Sequence, residues 1–165
     1  MTLREYYLQR LEAETPVFMK VFKALPKDKL DYKPDERSPS ASELVWTITG
    51  ALKTCLEVVK DNRAERQSHP PPDLDQMMEM FEGWSGALSD RVALMDDVMW
   101  KRTAEFFYNG KRVAEQPVGS FLWFVLFDAI HHRGQLAAYL RPMGGKVPAI
   151  YGPSADEKTM KAGAS

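Results

Sequence analysis

An all-α four-helix bundle with a short β-hairpin inserted between helices three and four is the fold this chain predicts. Three observations carry that expectation. Four stretches place apolar residues at helical spacing, two helix starts carry capping signals, and one Asn-Gly pair separates two short strand-like runs.

The first helix is expected over about Thr2 to Leu25, with Leu3, Tyr7, Leu11, Phe18, Val21, Phe22 and Leu25 on one stripe. Glu14 falls on the same stripe, and Pro16 is expected to kink or interrupt the helix. The stretch LPKDKLDYKPDERSP then reads as loop. Ser40 with Glu43 three residues on opens the second helix, whose stripe is Leu44, Ile48, Ala51, Cys55 and Val58, with Thr47 at its inner edge. The three prolines of NRAERQSHPPPD predict a stiff connection. Asp73 and Gln76 open the third helix, with Met77, Phe81, Trp84, Leu88, Met95 and Val98 on its face. Asn109-Gly110 in TAEFFYNGKRVAEQPV predicts the hairpin, which must pack on the helices because two strands alone are marginal. The fourth helix runs from about Val118 to Arg141, with Phe121, Val125, Asp128, His132, Gln135 and Tyr139 on one face. Pro142 and Gly144-Gly145 end it.

Length and composition narrow the function classes. The 165 residues suit one domain, expected over residues 1–158 with a short tail at 159–165. A net charge of −1 with interspersed acids and bases gives no electrostatic case for nucleic acid. No apolar run is long enough for a membrane span, and MTLREYYLQRLEAE lacks a secretory apolar region. A single cysteine, Cys55, leaves no internal disulfide framework and is compatible with a cytoplasmic setting. It also leaves any metal to histidines and carboxylates.

Within a bundle, chemistry comes from polar side chains on core-facing stripes. Here these are Glu14, Asp128 and His132, with Thr47 beside them. Asp128 and His132 stand four residues apart, one helical turn, so a carboxylate oxygen and an imidazole nitrogen share a face. One reading is a hydrogen-bonded core pair that satisfies a costly carboxylate without metal. The other is part of a divalent-metal site (Zn, Mn, Fe or Ni), which needs a third donor from Glu14 or the weaker Thr47 hydroxyl. Cys55 reads as inert core, Glu43 as the capping acid, His69 as a solvated loop residue and His131 as surface. The run FLWFVLF has more apolar surface than one core face needs, which predicts a homodimer interface on the fourth helix.

The stretch DAIHHRGQLAAYLR resembles the signature of the DinB superfamily, in which His-x3-His is followed by Arg-Gly-Gln. SASELVWTITG is similar to that family's second helix, and KVPAIYGPSADE to the tail of one subgroup. The resemblance implies an up-down-down-up bundle whose crossover lies between helices two and three, and frequent homodimers. It also implies a divalent metal held by three histidines, which activates a low-molecular-weight thiol in relatives such as bacillithiol and mycothiol transferases and a maleylpyruvate isomerase. Carried over residue by residue, that triad lands on Thr47, Asp128 and His132, of which only His132 matches. The implied activity is metal-dependent thiol transfer or hydrolysis. The alternative is a non-catalytic bundle without the metal, acting through a small-molecule ligand or dimerisation.

Overall fold

Five helices and one three-stranded sheet make up the computed structural model, which describes residues 1–157. The tail expected at 159–165 lies outside the described residues. Helix α1, Leu3–Lys23, starts at a capping box the sequence reading did not single out, in which Thr2 and Glu5 satisfy each other's backbone N–H. Pro16 sits inside this helix without ending it. One lost backbone donor is outweighed because Tyr7 and Leu11 before it, and Phe18 and Phe22 after it, are all buried.

Helix α2, Ala41–Asp61, begins at the expected Ser40–Glu43 box and ends at Asn62, which takes the left-handed conformation at φ 54°. The next four residues correct the sequence reading. Arg63–Arg66 is a strand, β1, where a stiff connection was expected. It pairs in parallel with β2, Thr103–Tyr108, so its partner lies some forty residues on and no local turn announces it. Helix α3, Leu74–Ala93, starts where Asp73 accepts from the Gln76 N–H. It stops short of Met95 and Val98, which the sequence reading placed on its face. A second cap at Asp96 opens the short helix α4, Asp97–Lys101, and leaves Val98 exposed.

Strand β3, Lys111–Pro117, returns antiparallel to β2 through Asn109 (φ 48°) and Gly110 (φ 77°), both left-handed as a two-residue hairpin turn requires. The sheet order is β1-β2-β3. It docks on the helices partly through Phe106, whose ring meets Phe121 edge-on at 5.7 Å. Helix α5, Val118–Leu140, follows directly. Helices α1 and α2 each pack against both α3 and α5. Phe81 of α3 binds that core together, 5.3 Å from Phe18 and 5.2 Å from Phe22 between ring centres. At the start of α5 the Trp100 ring lies so close to Gly119 that a Cβ there would overlap it. Among the described residues no helix is long and apolar enough to cross a membrane.

Candidate functional site

The buried stripe of α5 is Leu122, Leu126, Ala129, Arg133, Leu136 and Leu140. Of the face expected through Asp128 and His132, Phe121 and Tyr139 are buried as well, while the middle of that face sits one position round the helix from the buried stripe. The helix is apolar on most of its circumference, so periodicity alone does not choose between neighbouring stripes. Its buried polar residue is therefore Arg133, only 2% exposed, while Asp128 and His132 stand at the edge with side chains 45% and 22% exposed.

Glu14 faces Arg133 rather than the Asp128–His132 pair. Its carboxylate, 1% exposed, takes Nη1 of Arg133 at 2.5 Å on one oxygen. On the other it accepts from the Tyr151 hydroxyl at 2.8 Å and from Arg10 one turn earlier in α1. Arg133 also donates to the Tyr151 oxygen at 2.6 Å, and its guanidinium lies over the rings of Phe18 and Tyr151. Tyr151 arrives on a loop folded by its own acids. Asp156 accepts from the Val147 N–H and Arg141, and Glu157 accepts from the Ala149 N–H. Every oxygen of Glu14 is thus committed to protein donors, so it has none to offer an ion at the other site. The clue in the sequence was Glu14 itself: a carboxylate on an apolar stripe demands a buried cation, and Arg133 lies in the same signature as His132.

Asp128 and His132 do come together. Nε2 of His132 is 3.4 Å from Oδ2 of Asp128, and Nδ1 lies 2.7 Å from Oε1 of Gln135. With Gln135 on Nδ1, Nε2 is the ring nitrogen that faces Asp128. Thr47 of α2 is half-buried, and its carbonyl accepts from Arg66 Nη1 at 3.3 Å. Arg66 is the residue the sequence reading missed. It ends β1, and its guanidinium lies along α2, with Nη2 donating to the Trp46 carbonyl at 3.3 Å. It fits there because position 50 is glycine: a Cβ would stand 2.9 Å from Nη2. Burial pushes Arg66 below its ordinary pKa, with Tyr108 and Asp128 partly restoring it. Cys55 is fully buried, and burial raises its thiol far from reactivity.

Arg66 also lines several clefts, two of which reach Thr47 or Asp128. The wider one, about 890 Å³, includes Lys33, Arg37, Glu43, Trp46, Thr47 and His69. The narrower, about 410 Å³, is walled by Phe106, Phe121, Phe124 and Val125, with Arg66 and Asp128 as its charged residues.

The DinB family model matches residues 1–163. The chain belongs to the DinB family. The Bacillus subtilis uncharacterized protein YrdA is 23% identical over 160 residues, covering 93% of this chain and 90% of that one. A second B. subtilis protein, YjoA, is 27% identical over 124 residues, covering 73% and 77%. The crystal structure of the DinB-like YjoA superposes with a TM-score of 0.67 at 21% identity, covering 86% of this chain and 94% of its own. A DinB-like protein from Bacillus cereus superposes with a TM-score of 0.72 at 20% identity, covering 89% and 97%. These likenesses extend to the fold.

A DinB-type centre of three donors would draw on Thr47, Asp128 and His132, and those residues do not fit it. Thr47 offers a neutral hydroxyl, and Glu14 is spent on Arg133, Tyr151 and Arg10. Among the described residues no three His, Cys, Asp or Glu side chains are grouped to hold a metal ion. A fixed guanidinium beside Thr47, facing the same groove as Asp128, adds positive charge where a divalent ion requires the opposite.

Proposed function

We propose that this DinB-family chain is a small-ligand-binding bundle that works without a bound divalent metal. The observation that carries this reading is Arg66. Its guanidinium lies against α2 beside Thr47 and shares a groove with Asp128. A cation built into the protein at that place makes a divalent ion redundant and opposed by charge. The contact pattern, with α1 and α2 each meeting α3 and α5, supports the up-down-down-up order for the bundle.

A second reading, metal-dependent thiol transfer or hydrolysis, is favoured by one observation. The Gln135 contact engages Nδ1 and leaves Nε2 of His132 beside an oxygen of Asp128 at 3.4 Å, the pairing of imidazole nitrogen and carboxylate oxygen that two ligands of one metal would present. Metal content separates the two. Untagged protein prepared without chelators, then equilibrated with Zn, Mn or Ni and desalted, is expected to hold well under one metal per chain. Near-stoichiometric metal, lost in Asp128→Ala and His132→Ala, would overturn the metal-free reading.

For assembly the reading is a homodimer. Phe127 of α5 is 61% exposed and stacks on Trp123, which also meets Tyr6 of α1, so a continuous aromatic face lies across the two helices. Sedimentation of the same sample at micromolar concentration is expected to give the dimer mass; a monomer would refute it.

A further inference from the structure

We propose that the narrower groove binds a small apolar molecule bearing one anionic head group, a carboxylate or sulfonate, with Arg66 as the residue that reads the charge. The inference rests on the ligand-binding reading above and names the class of ligand. At about 410 Å³ the groove falls in the ordinary range for small-molecule sites, and its walls are mainly aromatic and aliphatic. Ala51 comes from α2, Phe106 from β2, Val113 from β3, and Phe121, Phe124 and Val125 from α5, so four elements present one apolar lining. Phe124 stays 62% exposed there, unlike its buried neighbour Leu122.

Charge at the groove is uneven. The two contacts of Arg66 go to the carbonyls of Trp46 and Thr47, both within a helix. Backbone carbonyls do not neutralise a guanidinium, and no carboxylate among the described residues closes an ion pair with it. A guanidinium has five N–H donors, so an incoming oxyanion finds donors still available. Asp128 is the one acid in the lining, but it is half in solvent and turned to His132. The seat at Gly50 holds the guanidinium against α2 before any ligand arrives, which lowers the ordering cost of binding. The wider cleft also reaches Arg66 but is lined mainly by charged and polar residues, and its Lys33 is already opposed by Glu43 at 3.7 Å, so it suits an apolar ligand less well.

The test uses two fluorescent probes that differ only in the head group: 8-anilinonaphthalene-1-sulfonate and its uncharged parent, N-phenyl-1-naphthylamine. The full chain is expected to bind both, the sulfonate more tightly. Arg66→Met is expected to weaken the sulfonate roughly tenfold or more, the loss typical of a charge-assisted hydrogen bond, and to leave the uncharged probe within twofold. Arg66→Lys is expected to recover part of the sulfonate affinity. Should Arg66→Met fail to fold by circular dichroism, Gly50→Ala carries the test. It keeps the charge but pushes the guanidinium off its seat, and it too should weaken only the sulfonate. Equal effects on both probes, or unchanged sulfonate binding in a folded variant, would overturn the role of Arg66 while leaving a ligand-binding groove in place. Binding of neither probe to the parent chain would instead defeat the ligand-binding reading itself.

Discussion

Removing one partner of the Glu14–Arg133 pair is the sharpest test of how this bundle is held together. Both side chains are essentially inaccessible, at 1% and 2% exposure, so each charge depends on the other for its solvation. Breaking such a pair by deleting one member costs about 3–5 kcal/mol, because the survivor is left buried and uncompensated. The two deletions are not equivalent. In Arg133→Met, Glu14 keeps Arg10 and the Tyr151 hydroxyl, so the cost belongs at the lower end, about 3 kcal/mol. In Glu14→Met, Arg133 keeps only Tyr151 and the two aromatic faces, so the cost belongs near 5 kcal/mol. For a domain of this size those losses lower Tm by roughly 6–20 °C. The double variant replaces the pair with apolar side chains and leaves Arg10, a third exposed, free to turn to water. It is expected to lose far less than the summed singles, a coupling of about 2 kcal/mol or more. Urea titration of the four proteins gives the cycle. Additive losses, or a Glu14→Met variant milder than Arg133→Met, would refute the argument that burial makes each charge dependent on the other.

Two glycines of α5 are expected to respond oppositely to alanine. Gly119→Ala forces the Trp100 ring to move and should cost about 1–3 kcal/mol, whereas Gly134→Ala has open space and should stabilise the helix by up to about 1 kcal/mol, both read by thermal melting. In acid, the loop that delivers Tyr151 should loosen before the core. The Val147 N–H, and after it Arg141, hold the Asp156 carboxyl below the usual range, so its contribution is complete above about pH 4 and is lost as pH falls through the lowered value. Hydrogen exchange at the Val147 amide should rise in that window while α2 amides stay protected, and Asp156→Ala should abolish the pH step; a loop that is insensitive to acid would count against the clasp.

Most of the helical frame was legible because its signals are local. Ser40 with Glu43, and Asp73 before Gln76, announce helix starts within four residues, and Asn109-Gly110 announces a turn within two. What escaped was non-local or ambiguous by nature. Strand β1 has four residues, three of them charged, and owes its existence to a partner across α3 and α4. The end of α3 escaped because Met95 and Val98 continue its apolar spacing, although Asp96 caps a new helix between them. The expected face of α5 holds at its ends, where Phe121 and Tyr139 are buried, but is one residue off through Asp128 and His132, because a helix apolar nearly all round gives no sharp phase.

The candidate site divides along the same line. Asp128 and His132 were legible as a pair because one turn of helix brings them together whatever the rest of the chain does. The partner of Glu14 was not, since 119 residues separate it from Arg133 and only the assembled bundle closes the gap. Arg66 was hidden twice over, on an unrecognised strand and in a stretch whose prolines read as linker. Yet its placement follows from the sheet: once β1 pairs with β2, its last residue is carried onto α2, where Gly50 removes the Cβ that would crowd it. Arg66 and Thr47 therefore meet at one place on α2. A guanidinium held beside Thr47 is the feature on which the proposed preference for an anionic head group rests.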